Sequence, residues 1–154
     1  MRSGIGIDTH RFAEGRPLIL GGVEIAAERG LAGFSDADVL THAIVDALLG
    51  AAGLGDIGEL FPDTDELWRD ADSMALLRDV VGQVGAAGWA VTHVDATVML
   101  ERPKLAPHRD AIQASLGAVL GSVNLKFTTG EGMGFVGRQE GAAALAVATL
   151  VPAG

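Results

Sequence analysis

The chain has 154 residues, 49% of them hydrophobic and none of them cysteine; this fits one globular domain over residues 1–154 and excludes both a disulfide framework and a thiolate metal site. A net charge of −9, from 11 Lys and Arg against 20 Asp and Glu, argues against a nucleic-acid binder, as do 5% aromatics and no Tyr. No signal-peptide pattern opens the chain, and the longest apolar run, after Glu140, is about a dozen residues against the roughly 20 that span a bilayer, so a cytoplasmic protein is expected.

Residues 2–9 read as a strand that leads into Asp8-Thr9-His10. Side chains at i and i+2 share one side of a strand, so Asp8 and His10 project together, roughly 7 Å apart at the backbone. That spacing suits two ligands of one metal ion. Arg16 to Leu20 and Val23 to Ile25 read as short strands around a Gly21-Gly22 turn. Residues 36–52 read as a helix, capped at Ser35 or Asp36, with Asp38 in its first turn. Val39, Leu40, Ala43, Ile44, Ala47, Leu48 and Ala51 give it a buried face, and Gly53 and Gly55 end it.

Along the border of that face, Asp38, His42 and Asp46 fall at i, i+4 and i+8 and form one stripe. A plain reading is the polar edge of an amphipathic helix. Two imidazoles and a carboxylate are also a common ligand set for a catalytic divalent metal, with the fourth position left for water or substrate. Asp8, His10 and His42 are therefore a candidate triad, on condition that the strand end meets the helix. An Asp of the stripe could then orient a ligand imidazole from behind.

Eleven acids fall between Asp36 and Asp79, against only Arg69 and Arg78. They form either a solvated acidic face or a site that uses divalent cations to hold an anionic ligand. Within them, Asp56-Ile57-Gly58 and Phe61-Pro62-Asp63-Thr64-Asp65 are either simple turns or a mobile loop whose acids accept sugar hydroxyls. A second helix starts near Asp72-Ser73 and stops around Gly88, residues 89–100 form a strand, and Pro107 opens a third helix to about Leu120. Arg102-Pro103-Lys104 is a solvated basic turn or part of a base or phosphate pocket.

A strand over 123–129 leads through Thr128-Thr129-Gly130-Glu131 into a loop with Gly132, Gly134 and Gly137. Backbone N–H groups of such loops can approach phosphate oxygens, and Glu131 could serve Mg²⁺ beside phosphates. The loop is neither a Walker A motif nor a dinucleotide fingerprint, because GK[ST] is missing and no helix clearly opens after it. Residues 142–151 read as a closing strand, with alanines that leave a helix open. His93 and His108 have no partner pattern. Together the elements predict an α/β sandwich, a mixed β-sheet with helices on one face.

DTH at 8–10, SDADVLTHAIVDALLGAAGLGDIGELFPDTD at 35–65, RPK at 102–104 and TTGEGMGFVGRQEG at 128–141 resemble the 2-C-methyl-D-erythritol 2,4-cyclodiphosphate synthase family of the non-mevalonate isoprenoid pathway. The likeness runs nearly the whole chain. It implies a homotrimer built around the sheets, with each active site between neighbouring subunits. It also implies a substrate, 4-diphosphocytidyl-2-C-methyl-D-erythritol 2-phosphate, whose own phosphate displaces CMP. By the same resemblance, Asp8, His10 and His42 hold Zn²⁺, and Glu131 holds Mg²⁺ or Mn²⁺ with the substrate phosphates.

Position 34, usually His and thought to help stabilise the phosphates, is here Phe34, beside Ser35. The resemblance further implies that Asp56, Ile57, Gly58 and the loop Phe61, Pro62, Asp63, Thr64, Asp65 line the erythritol part, and that Leu100, Glu101, Arg102, Pro103, Lys104, Leu105 and Ala106 form the cytidine pocket. It implies that Thr129 stabilises the transferring phosphate, within the run Thr128, Thr129, Gly130, Glu131. It also implies that Phe135 and Arg138 line an axial cavity where relatives hold isoprenoid diphosphates. Position 130, often Thr, is here Gly130. The competing readings are a metal-dependent phosphohydrolase and a non-catalytic binder of isoprenoid diphosphates.

Overall fold

The first strand, β1 (Arg2–Ala13), continues past the Asp8–His10 pair instead of ending there. The structure, a computed structural model, describes residues 1–154. Next comes a hairpin of β2 (Leu18–Leu20) and β3 (Val23–Ile25). Its turn puts Gly21 at φ 59° and Gly22 at φ 75°, a left-handed pair that only glycine adopts without strain. A two-residue strand, β4 (Gly30–Leu31), pairs antiparallel with the end of β1 and was not expected from the sequence.

Helix α1 (Val39–Ala52) starts later than expected, because Asp38 and not Ser35 or Asp36 is its cap; the Asp38 side chain accepts the Thr41 N–H. A single turn, α2 (Ile57–Leu60), interrupts what reads as loop. Helix α3 (Ser73–Ala86) begins where expected, capped by Asp72. Strand β5 (Trp89–Met99) follows, and then a 3-10 turn over Ala106–His108 takes up Pro107 before α4 (Arg109–Leu120) begins. Strand β6 (Val123–Thr128) leads to α5 (Gly134–Gly137), a helical turn inside the glycine-rich loop where none was expected. The closing segment is strand β7 (Gly141–Pro152), not helix.

The main sheet has the order β4-β1-β7-β5-β6, and β2 and β3 form a separate ribbon. Only the β5–β6 pair is parallel, so the sheet is mixed. β7 lies between β1 and β5 and is hydrogen-bonded on both sides, which overrides the helical preference of its alanines. Ala142, Ala144, Ala146 and Ala148 of β7 are buried and point toward the helical layer. Helices α1, α3 and α4 cover that face, with Leu40, Ile44, Leu48, Leu77, Ile112 and Leu116 filling the core. The other face of the sheet leaves Ile5, Ile7 and Val147 exposed at 62%, 58% and 43%.

One packing contact fixes the rest. β1 turns Gly4 and Gly6 toward α1, whose Ala43, Ala47 and Ala51 lie directly above. A Cβ on Gly6 would overlap the Ala43 carbonyl oxygen and sit 2.7 Å from the Ala47 nitrogen; one on Gly4 would overlap the Ala47 carbonyl and sit 3.0 Å from the Ala51 Cα. Helix backbone thus rests on strand backbone. Asp8 and His10 continue the same side of β1, and His42 is the helix residue before Ala43. Gly6→Ala should lift α1 from β1 and cost about 1–3 kcal/mol by overpacking. Urea denaturation would show this as a lower midpoint with an unchanged slope.

Candidate metal centre and binding clefts

The strand end and the helix do meet. Asp8 Oδ2 lies 2.9 Å from His10 Nε2 and 3.2 Å from His42 Nδ1. The two imidazole nitrogens are 3.3 Å apart. Ligand bonds of about 2.0–2.1 Å in tetrahedral array put neighbouring ligand atoms roughly 3.3 Å apart, which matches this triangle. The expected triad is therefore assembled within a single chain.

Outer hydrogen bonds turn the right atoms inward. His10 Nδ1 lies 2.8 Å from the Ala32 carbonyl oxygen. A carbonyl only accepts, so Nδ1 carries the proton and Nε2 can offer its lone pair to the centre. His42 Nε2 has two hydroxyl neighbours, Ser73 Oγ at 2.8 Å and Ser35 Oγ at 3.2 Å. Ser73 Oγ in turn donates a short hydrogen bond to Asp36 Oδ1. With these outer groups as acceptors, the inner nitrogens of His10 and His42 face Asp8 with their lone pairs, an arrangement that suits a cation.

The electrostatics agree. Burial works against a charged Asp8, but hydrogen bonds from His10 and His42 outweigh it and hold the carboxyl at about 2. Burial also disfavours a charged His10, yet the hydrogen bond to Asp8 and its negative charge raise that imidazole above 6.5.

The stripe on α1 has a different role from the one expected. Asp38 is fully buried and points away from His42; its carboxylate takes the Gly21 N–H at 3.0 Å, the Gly22 N–H at 2.8 Å and the Thr41 hydroxyl at 2.8 Å. It joins the β2–β3 turn to the start of α1. Asp46 accepts the Ile57 N–H at 2.8 Å and so anchors α2. Neither makes a hydrogen bond to an imidazole of the triad. Ser73 and Asp36 were legible in the sequence only as helix-start residues, and no periodicity links them to His42.

Beside the triad is a cavity of about 440 Å³ lined by His10, His42, Phe34, Ser35, Ile57, Gly58, Phe61, Pro62, Asp63, Thr64, Trp68 and Leu76. Most of the expected erythritol-side residues are here. Asp56 and Asp65 face their own turns, accepting the Glu59 and Leu67 N–H groups. The Phe34 ring is capped by the Arg69 guanidinium at 4.8 Å, which Glu66 grips with both carboxylate oxygens at 2.6 and 2.7 Å. Phe61 and Trp68 stack edge to face at 4.8 Å.

The expected cytidine residues gather elsewhere. Leu100, Glu101, Pro103, Lys104, Leu105 and Ala106 line a cleft of about 160 Å³ together with Phe127, Thr128 and Thr129. Arg102 opens instead onto a neighbouring groove with Arg29 and Gln139. The Glu101 carboxylate takes the Gly130 N–H at 2.7 Å and the Gly132 N–H at 3.2 Å, tying the 100–106 segment to the glycine-rich loop. Glu131 is exposed and left-handed at φ 53°, with its N–H on Thr129 Oγ1 at 3.3 Å. A Cβ on Gly130 would lie 2.7 Å from the Met133 oxygen, so glycine suits this turn. Phe135 lines a shallow groove with Thr9, His10 and Arg11, while Arg138 pairs with Glu140 at 2.8 Å. Within one chain, the triad cavity and the 100–106 cleft share no lining residue.

The YgbB family matches residues 1–151. The 2-C-methyl-D-erythritol 2,4-cyclodiphosphate synthase of Salinibacter ruber is 60% identical over 154 residues, covering 97% of this chain and 98% of that one. Among solved structures, a CDP-bound 2C-methyl-D-erythritol-2,4-cyclodiphosphate synthase superposes with a TM-score of 0.89 at 42% identity, over 97% of this chain and 100% of its own. The bifunctional IspDF from Campylobacter jejuni gives 0.92 at 45% identity, over 97% of this chain and 42% of its own.

The pKa shifts fix a sign. In metal-free protein the Asp8 contribution to stability is present above 3.8 and lost as pH falls toward about 2. The His10 contribution is fully present below 6.5 and lost as pH rises through the raised value. A bound cation replaces the His10 proton. The rise in melting temperature on adding zinc to stripped protein should therefore grow as pH increases across the His10 titration. A rise that does not change with pH would contradict this assignment.

Proposed function

The chain belongs to the YgbB family of 2-C-methyl-D-erythritol 2,4-cyclodiphosphate synthases, and from that premise we infer how its residues divide the work. The protein is a divalent-metal-dependent lyase of the non-mevalonate isoprenoid pathway. It converts 4-diphosphocytidyl-2-C-methyl-D-erythritol 2-phosphate into 2-C-methyl-D-erythritol 2,4-cyclodiphosphate and CMP. An oxygen of the substrate's 2-phosphate bonds to the β-phosphorus; the bond to the bridging oxygen breaks, and its electron pair leaves with CMP. No protein nucleophile or water is consumed. The convergence of Asp8, His10 and His42 on one ligand-sized point carries this reading.

The ions we assign are Zn²⁺ at Asp8, His10 and His42, and Mg²⁺ or Mn²⁺ at Glu131; bound there, they supply the positive charge that lets two phosphates approach and that eases CMP departure. This chain's residues do the positioning. Ile57, Gly58, Phe61, Pro62, Asp63 and Thr64 hold the folded erythritol beside the triad, with Asp56 and Asp65 bracing that loop through its turns. Leu100 to Ala106 seat the cytidine, with Glu101 holding the turn that presents Thr129 and Glu131. Thr129 stabilises the transferring phosphate, flanked by Thr128 and Gly130. Ser35 lies at the phosphate side. Phe34 donates no hydrogen bond there, although the Arg69 cation stacks against it. Orientation of this kind can supply several kcal/mol of barrier reduction in an intramolecular reaction.

A homotrimer of single 1–154 domains follows in this reading, with each site between subunits. Two observations support it. The triad cavity and the 100–106 cleft are separate within one chain, so a substrate that touches both needs a neighbour's half. The sheet face carrying Ile5, Ile7 and Val147 has no helical cover. Phe135 and Arg138 would then line the axis, where an isoprenoid diphosphate could lie. The absence of any helix long and apolar enough to cross a membrane is compatible with a cytoplasmic enzyme.

Supplied with the substrate, zinc and Mg²⁺, the protein should release CMP and the cyclic diphosphate, which phosphorus NMR distinguishes from the linear phosphates of a hydrolase. The same assay on Phe34→His should give a higher turnover rate, since a donor is restored at the phosphates; an unchanged rate would mean that another group already fills that role. Ile7→Asp should shift the sedimentation coefficient from trimer to monomer, and a trimer that survives it would place the subunit contact elsewhere.

A further inference from the structure

We propose that Ser73, backed by Asp36, is a positioning residue that holds His42 in the one tautomer the metal centre can use. The inference rests on the reading of Asp8, His10 and His42 as a metal site and adds what makes that site work.

A serine hydroxyl carries a single proton. That of Ser73 is committed to Asp36 Oδ1, a carboxylate oxygen that can only accept. The Ser73 oxygen therefore presents lone pairs to His42 Nε2, 2.8 Å away. Seen from Ser73 the imidazole proton belongs on Nε2, which leaves Nδ1 bare; Asp8 Oδ2, 3.2 Å from Nδ1, asks for that proton when no cation is bound, and the Ser73–Asp36 pair opposes it. Asp36 cannot readily turn away. Its Oδ2 accepts the Ser73 N–H at 2.9 Å, and its Oδ1 also accepts the Asp38 N–H at 3.2 Å. The second hydroxyl near Nε2, that of Ser35, is 3.2 Å away and has no carboxylate partner directing its proton. Alone it could donate or accept, and it would not choose between tautomers.

A purely structural role does not account for the Ser73 hydroxyl. Ser73 is fully buried at the start of α3, but the cap of that helix is Asp72, whose side chain accepts the Met74 N–H at 2.9 Å. The helix has no need of a hydroxyl at the next position. The same short stretch is laced to the cavity wall: Asp70 N–H donates to the Phe34 carbonyl at 3.0 Å, and Asp36 N–H to the Ala71 carbonyl at 3.3 Å. The support for His42 thus comes from the chain segment that closes the cavity beside it, so the order of that segment and the aim of the imidazole are linked.

Two readouts on the full-length protein test this. The first is the nitrogen-15 spectrum of the histidine-labelled, metal-free wild type at a pH where imidazoles are neutral. The expected result is a His42 ring with Nε2 protonated and Nδ1 bare; the opposite tautomer would overturn the proposal. The second is zinc affinity by chelator competition. Ser73→Ala should bind zinc roughly 10–100-fold more weakly, the usual loss for removing an outer partner of a metal-bound imidazole, and its His42 ring should show mixed tautomers. Asp36→Asn, which frees the Ser73 proton to point at Nε2, should weaken zinc similarly. A Ser73→Ala protein that folds, keeps the wild-type tautomer and binds zinc as tightly would sink the idea. If the wild type takes up no zinc, the metal reading fails, and the tautomer measurement still decides the role of Ser73.

Discussion

The contact of strand backbone with helix backbone is the constraint on which the site depends. Gly4 and Gly6 remove the side chains that would normally separate β1 from α1, and Ala43, Ala47 and Ala51 add little on the helix side. Tetrahedral coordination leaves only a few tenths of an ångström of slack between ligand atoms. A strand and a helix separated by ordinary side chains would put His42 out of reach of Asp8 and His10. The buried alanines of β7 extend the same shallow surface, so α1 lies low over two strands at once. The glycines are thus part of the metal chemistry, although no metal would touch them.

The acidic stretch from Asp36 to Asp79 follows a related logic. A block of carboxylates next to a site for a polyanionic substrate looks self-defeating if those carboxylates face the ligand. Most of them do not. Asp38, Asp56, Asp65 and Asp72 each accept a backbone N–H at the start of a helical segment, and Asp46 accepts one at the start of α2. Their charge is directed at helix N-termini, where the macrodipole and unpaired donors favour it. The stretch is largely a solvated face, with Asp56, Glu59, Asp63, Asp65, Glu66, Asp70, Asp72 and Asp79 exposed, and several of its carboxylates also hold backbone. Those carboxylates are anchors for short elements in a loop-rich region, with Asp36 aimed inward behind His42. The protein's net charge is therefore a poor guide to the field that a bound phosphate would meet.

How much of this was legible in the sequence depends on whether the information was local. The i, i+2 rule put Asp8 and His10 on one side of a strand, and helical spacing put His42 at the border of a buried face. Both hold. The same rule also places Gly4 and Gly6 on that side, but their meaning lies in what sits above them, and no local pattern states that. The stripe Asp38–His42–Asp46 was real as geometry and misleading as chemistry: each Asp found a nearer backbone donor. The residues behind His42 come from positions 36 and 73, joined only when α3 docks against α1. The closing strand was ambiguous for the same reason, since alanine favours a helix in isolation and pairing on both edges decides otherwise.

The distribution of parts over rigid and loose elements matches what the reaction demands. When nucleophile and electrophile belong to one substrate, a protein contributes little covalent chemistry and much geometry. The components that tolerate least error, the three metal-facing atoms, sit on one of the two longest strands and an adjacent long helix, locked by buried packing. In the proposed reading, the components that admit the ligand sit on turns: 56–65 on one side, and 100–106 with 128–131 on the other. Each of these turns is braced by a carboxylate that accepts backbone N–H groups, such as Asp46 at Ile57 and Glu101 at Gly130 and Gly132. Loops held in this way can differ in side chain without disturbing the centre. The centre itself depends on backbone proximity and on hydrogen bonds buried beneath it, and it offers no such freedom.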